Sequence, residues 1–291
     1  MKIRPAKRSD KHEILSFCIN TFSWGDYIDR VWDYWYRNGK LLVVEESGRK
    51  IAMSHMAICN SSKSVWLEGV RVHPDYRRSR IATELIGKMI HYGRQQGMRQ
   101  ALAIVDVANV ASQRMLEKNG FELISKWAYY STDGKPVRKK SNARLATIGE
   151  LDDLWQYLQV SEIYSLSAGR YVKSWHWYAL DRKTLRNLIK EESVIMIDRP
   201  VSGVAIMNKR GYWDRAKILQ LVYLDSASAG SLAHLVSFVT NVYLDAEFEA
   251  LQLVCHHSVR LPSFIEKFMA KDKEQFLLYN KVFTTKAMPS Q

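Results

Sequence analysis

Residues 65–83 read VWLEGVRVHPDYRRSRIAT, and three kinds of signal meet in them. Val65, Trp66, Leu67, Val70 and Val72 make an apolar, β-branched run of strand length, which Pro74 and Asp75 close with turn chemistry. Tyr76-Arg77-Arg78-Ser79-Arg80 follows as a basic turn, and then Ile81, Leu85, Ile86, Met89 and Ile90 recur at helical spacing. The arginines therefore stand at the start of a helix. Such an end offers unpaired backbone N–H groups and a partial positive charge, and a phosphate satisfies both. A solvated basic turn is the plainer alternative.

Working outward, the 291-residue chain is long enough for one large or two medium domains, and 47% hydrophobic with 25% charged residues describes a globular protein. No apolar run approaches the ~20 residues needed to span a bilayer, and MKIRPAKRSDK has no apolar signal core. The expectation is a cytoplasmic protein with no membrane partner. Cys18, Cys59 and Cys255 are too scattered for a disulfide frame or a metal cluster, and the His256-His257 pair lacks further ligands at metal-site spacing. The charge of +13 is uneven: residues 1–140 hold 25 Lys and Arg against 14 Asp and Glu, residues 141–291 hold 18 against 16. A basic first half suits a polyanion, either a coenzyme with several phosphates or a nucleic acid.

The remaining pattern predicts strands at 2–6, 40–46, 50–59 and 101–107, with helices between them. Ile28, Val31, Trp32 and Trp35 mark the packed face of a helix, preceded by a loop with Trp24, Asp26 and Tyr27. After residue 132 the segment 133–142 has turn residues and the basic cluster Lys135, Arg138, Lys139, Lys140, and reads as a linker. Residues 143–154, ARLATIGELDDL, then echo the opening IRPA-plus-helix, followed by a strand pair at 193–198 and 201–207, a strand at 216–224 and helix 232–244. The aromatic group of Tyr171, Trp175, Trp177 and Tyr178 is either packing or a lid over a substrate.

The central stretch resembles the coenzyme-A signature of the GNAT superfamily of N-acetyltransferases: a strand, V-x-P-x-Y, R-x-x-G-x-G/A, a helix. Val72, Pro74, Tyr76, Arg77, Ile81 and Ala82 match, while Arg80 replaces the first glycine. Residues 109–121, NVASQRMLEKNGF, resemble the family's N-x-x-A-x-x-L-Y-E-K-x-G-F; Asn109, Glu117, Lys118, Gly120 and Phe121 match, and Leu116 takes the place of the tyrosine that commonly protonates the leaving thiolate. Tyr129 and Tyr130 are either substitutes for it or ordinary alternating strand residues. Over the whole chain, LEGVRVHP, the Asp26-Tyr27 pair and Trp175 with Tyr178 before Leu185-Arg186 resemble the histidine N-acetyltransferase family, with an active first copy and a degenerate second one.

The resemblance implies an α/β mixed-sheet fold in tandem GNAT-like domains: 1–132 binding acetyl-CoA, the basic linker 133–142, and 143–291 degenerate, because its strand at 216–224 leads into DSASAGS without an arginine. It implies acetyl-CoA as co-substrate and no metal. Cofactor contacts fall on Val70 and Val72 through the backbone, on Arg77, Arg78, Ser79, Arg80, Ile81, Ala82 and Thr83 at the phosphates, and on Asn109 and Ser112 at the pantetheine arm. Trp24, Asp26 and Tyr27 are assigned to the acceptor. Glu68 shares a strand face with Trp66, Val70 and Val72 and is its sole carboxylate, so it is either the general base or a structural partner of a neighbouring strand. The expected function is direct acetyl transfer to the primary amine of a small molecule or amino acid. The alternative is a non-catalytic module that senses acyl-CoA or binds nucleic acid.

Overall fold

The computed structural model describes residues 1–22, 25–132, 134, 136–211, 217–268 and 272–283. In chain order the first half comprises β1 (Lys2–Pro5), α1 (Lys11–Cys18), α2 (Ile28–Arg37), β2 (Lys40–Glu46), β3 (Arg49–Cys59), β4 (Ser64–Val72), α3 (Ile81–Gln95), β5 (Gln100–Asp106), α4 (Val110–Lys118) and β6 (Glu122–Thr132). The second half comprises β7 (Arg144–Leu145), α5 (Leu151–Val160), α6 (Glu162–Leu166), β8 (Arg170–Lys173), β9 (His176–Ala179), α7 (Arg182–Lys190), β10 (Val194–Ile197), β11 (Gly203–Asn208), β12 (Ile218–Ser226), α8 (Ala229–Asp245), β13 (Ala250–His256), α9 (Ser263–Phe268) and β14 (Asp272–Val282). No helix among the described residues is long and apolar enough to cross a membrane.

The chain divides into two compact units, 1–123 with 278–291, and 124–277. In the first, the strand order is β1-β2-β3-β4-β5, completed by residues 278–282 of β14. β1 to β4 pair antiparallel and β4 pairs parallel with β5. In the second, the order is β7-β10-β11-β12-β13-β6, again antiparallel through β12, parallel from β12 to β13, and antiparallel from β13 to β6. The closing strands are thus exchanged. The sequence pattern assigned 122–132 to the first domain and 277–283 to the second; each is a strand as expected, but it completes the other unit's sheet. Alternation along a strand tells which face is apolar and leaves its edge partner open.

Both units open with the same device, a short strand, a tight 3-10 turn and a helix. Asp10 is 1% exposed; it accepts from the Lys7 N–H at 2.6 Å and from Arg4 Nη1 and Nη2 at 2.7 and 2.9 Å. Glu150, also 1% exposed, accepts from the Thr147 N–H at 2.8 Å and from Arg144 Nη1 at 2.9 Å, with Arg199 as a further partner. The Arg144 guanidinium foremost, with Arg199 and Thr147, holds the Glu150 carboxyl well below the usual carboxylate range against the opposing effect of burial.

The site is positioned by α2 and α3. Ile28, Val31, Trp32 and Trp35 of α2 are all buried, an i, i+3, i+4, i+7 stripe, while Asp29, Arg30 and Asp33 face outward. Burying two tryptophans on one short helix supplies several kcal/mol at about 25 cal/mol per Å² of apolar surface. In α3, Gly93 lies so close to Val65 of β4 that a Cβ there would meet Val65 Cγ1 at 3.0 Å, so the helix backbone seats directly on the Val65 side chain.

Candidate active site

β4 carries the chemistry because it loses a neighbour halfway along. Its parallel pairing with β5 runs only from Ser64 to Trp66, opposite Gln100 to Leu102, although β4 continues to Val72 and β5 to Asp106. Beyond Trp66 the two strands part, and the backbone groups of β4 that faced β5 no longer have a strand to bond. On the other side, the register with β3 shifts between Met53 and His55. The bulge coincides with Gly69 at φ +65°, a conformation natural to glycine.

Glu68 stands two residues past the last paired position, with its side chain 11% exposed. Its Oε1 lies 2.8 Å from His55 Nδ1, and His55 Nε2 lies 2.7 Å from the backbone carbonyl oxygen of Asn38. The His55 ring is stacked on Trp35, centroids 4.6 Å apart and planes 5° from parallel. Tyr27 meets the same tryptophan edge-on at 6.0 Å. On the neighbouring strand β3 the residue that meets Glu68 is a histidine rather than an arginine or lysine.

Arg71, three residues on, holds Asp26 in a two-pronged ion pair, Nε to Oδ2 at 2.7 Å and Nη2 to Oδ1 at 3.0 Å, and its guanidinium lies 5.1 Å from the ring centres of both Phe22 and Tyr27. Asp26 also accepts from the Ile28 N–H, and its side chain is 4% exposed. These bonds make Asp26, one of the residues assigned to the acceptor, also the anchor of the loop before α2. Burial raises the pKa of the Tyr27 phenol; Arg71 opposes this, and Glu68 and Asp26 add to it. Tyr27, Glu68, His55 and Arg71 therefore form one cluster around Trp35. Trp24, the third residue assigned to the acceptor, lies outside the described residues.

At the end of β4 the chain enters the basic turn. Arg77, Arg78, Ser79 and Arg80 are exposed; Arg77 folds back to donate to the Val72 carbonyl at 3.3 Å. Arg80, in the position of the signature glycine, has φ 61° and ψ 7°, so it adopts the left-handed conformation that the glycine would supply, and Arg78 has φ 65°. Arg80 is the N-cap of α3 and no side chain caps the helix, which leaves the N–H groups from Arg80 through Thr83 without intrahelical partners. Ile81 is buried in the core beneath them, and Ala82 is half-buried. In the second unit α8 begins differently: Ser228 caps it by accepting from the Ser231 N–H at 3.1 Å, and Ser202 and Ser228 hydroxyls bond Ser231.

Asn109 caps α4, accepting from the Ser112 N–H at 3.1 Å, so these two predicted contacts are neighbours at one helix start. Val70 and Val72, half-buried, lie on the unpaired part of β4. Leu116 is 3% exposed, and the next residue, Glu117, accepts from the Tyr279 hydroxyl at 3.0 Å; burial, with Glu117 beside it, pushes that phenol up to about 12. Tyr129 and Tyr130 are buried in β6 of the second unit, where Tyr129 accepts from Gln252. Among the described residues no group of three or more His, Cys, Asp or Glu could hold a metal ion.

This geometry defines a class, a sheet split at its fourth and fifth strands with an open-ended helix after the fourth. Residues 11–121 match the acetyltransferase (GNAT) family. The aminoglycoside N(6')-acetyltransferase type 1 of Salmonella typhimurium is 32% identical over 72 residues, covering 25% of this chain and 50% of that enzyme. The match thus spans half the length of the curated relative. A GCN5-related N-acetyltransferase from Sphaerobacter thermophilus has a TM-score of 0.62 at 11% identity, covering 97% of this chain and 95% of its own. A Thermoplasma acidophilum protein provisionally described as an acetyltransferase scores 0.59 at 16% identity, covering 97% of this chain and 100% of its own. At such identities the likeness is one of fold, and it extends along the second half as well as the first.

Proposed function

We propose that the protein moves the acetyl group of acetyl-CoA to a primary amine by direct transfer in a ternary complex. The parting of β4 from β5 after Trp66, with Glu68 at its mouth, is the observation that carries this reading. A thioester carbonyl held against the unpaired β4 backbone near Val70 and Val72 would be polarised by N–H groups, independent of side chains. The unsatisfied N–H groups of Arg80 through Thr83, with Arg77, Arg78 and Arg80 exposed around them, suit the phosphates of the coenzyme. Glu68 would take a proton from the acceptor's ammonium; the freed lone pair attacks the carbonyl carbon, the C–N bond forms, the C–S bond breaks with its electron pair left on the coenzyme-A sulfur, and the second proton lost by the nitrogen passes to that thiolate. Asn109 and Ser112 at the start of α4 are assigned to the pantetheine arm.

The second unit is read as a degenerate GNAT-like copy. The repeated Arg4–Asp10 and Arg144–Glu150 devices and the identical strand succession support duplication, while the serine-capped start of α8 argues against a second cofactor. A small-molecule amine or free amino acid is the preferred acceptor; the likeness to aminoglycoside acetyltransferases and the resemblance to the histidine N-acetyltransferase family both support small acceptors, with Asp26 and Tyr27 the described residues assigned to it.

Calorimetric titration with coenzyme A, followed by thiol release with free amino acids, polyamines and N-terminal peptides, tests the proposal. Glu68→Gln is expected to lower turnover about 10²- to 10⁴-fold at unchanged cofactor affinity. Binding of coenzyme A without thiol release for any amine would favour the non-catalytic reading, and a strong preference for peptides would overturn the small acceptor.

A further inference from the structure

His55 has no mark in its sequence context, yet it is closely held on every side beside Glu68. It is 1% exposed. Trp35 covers one face of the ring, and Gly39, at φ +84°, approaches so closely that a Cβ there would stand 2.5 Å from Nε2. Any larger residue at 39 would displace the ring. The two nitrogens have different partners, and these fix where the hydrogens lie. A backbone carbonyl can only accept, so Nε2 carries a hydrogen toward Asn38. Nδ1 and Glu68 Oε1, at 2.8 Å, need one hydrogen between them, carried by an imidazolium or by a carboxyl group. In either form the contact contains one proton, and its line is set by the Asn38 carbonyl rather than by Glu68's own rotamer freedom.

We propose that His55 is a positioning residue for the reaction: it fixes the Glu68 carboxylate at the point where β4 leaves β5, by a relay running Asn38 carbonyl, His55 Nε2–H, His55 Nδ1, Glu68 Oε1. The inference rests on Glu68 acting as the base. A histidine that merely fills the core would also be buried and bonded, but it would not require its partner to stand at the strand divergence, nor both glycines, 39 and 69, to press on its stack with Trp35. Arg71, Asp26, Tyr27 and Cys18 are further ionisable groups of this cluster; Arg71 pairs with Asp26 and lies over Tyr27, Cys18 feels both charges, and Glu68 acts on Tyr27.

The test combines kinetics and spectroscopy on the full chain. His55→Gln keeps a donor for Asn38 and loses the partner of Glu68; turnover is expected to fall on the order of 10²-fold, the loss typical of a misplaced group, with KM for acetyl-CoA and coenzyme-A affinity within twofold of the parent. In a Glu68→Gln background the same change should cost no further activity, since no base remains to be positioned. An equal loss in both backgrounds would assign His55 to structure and overturn the proposal. Full activity in Glu68→Gln would remove the base and the positioning residue together, whereas loss in Glu68→Gln with none in His55→Gln would remove only the second. Long-range nitrogen–proton spectra of the histidine-labelled parent protein give a readout that does not depend on any variant folding: Nε2 of His55 should carry a hydrogen, and a neutral ring protonated only at Nδ1 would refute the relay.

Discussion

Gly69→Ala probes the stack that holds the site. Gly69 has φ +65°, where an alanine costs about 1–2 kcal/mol more than glycine. The added Cβ would stand 2.4 Å from Trp35 Cζ3 and 2.6 Å from Cη2, well inside contact distance. Trp35 cannot simply swing aside, because it is 1% exposed, stacked on His55, and met edge-on by Tyr27. Overpacking of this kind costs about 1–3 kcal/mol. The sum, about 2–5 kcal/mol, is a large part of a single domain's stability. Urea unfolding followed by circular dichroism would measure it. In a Trp35→Leu background the ring edge is gone and only the backbone cost should remain, so the double variant should be about 1–3 kcal/mol more stable than the sum of the single changes predicts. Strict additivity, or a Gly69→Ala loss below 1 kcal/mol, would show that Trp35 yields freely and would refute the rigid stack.

Three further outcomes follow from the geometry. Ala82→Glu sets a carboxylate among the open N–H groups of α3 and should abolish coenzyme-A binding by calorimetry while leaving the circular dichroism spectrum intact. Glu150→Gln should cost about 1–3 kcal/mol at neutral pH. The native carboxyl is held below its unfolded value, so its contribution is present above that value and fades as the pH falls below about 4.3; parent and variant melting curves should converge in acid. In the second unit Asn208, Gln220, Gln252 and Tyr129 form a buried chain of hydrogen bonds of 3.0 to 3.1 Å; Gln220→Leu leaves Asn208 and Gln252 each one bond short and should destabilise by about 2–5 kcal/mol in chemical unfolding.

The strand, basic turn and helix at 65–95 were legible because each is written in consecutive residues: alternation, turn chemistry, then a 3.6-residue period. The Arg4 and Arg144 devices were likewise visible as an echo, since their partners lie six residues away. Glu68 could be picked as a carboxylate on an apolar strand face, but its partner could not. His55 reaches it only through a bulged register between β3 and β4, and a bulge leaves no mark in the apolar pattern beyond a glycine. A histidine in KIAMSHMAIC facing a glutamate in VWLEGVRV is the signal that register counting could have used. Asp26 was chosen for its charge and loop position; the residue that neutralises it, Arg71, is 45 positions away, beyond the reach of local reading.

The exchanged closing strands bear on how the chain is made. While synthesis proceeds from the N-terminus, β1 to β5 and the basic turn emerge early, but the strand that covers the free edge of β5 comes from residues 278–282, more than 170 positions later. Until then β5 is an open edge, and such an edge invites pairing with a foreign chain. A ribosome stalled near residue 132 would present the basic turn and the open start of α3 in an incomplete sheet, with β6 waiting for β13. If the proposed function holds, cofactor affinity is thereby tied to translation of residues 278–282, and a nascent chain lacking them is expected to bind coenzyme A poorly.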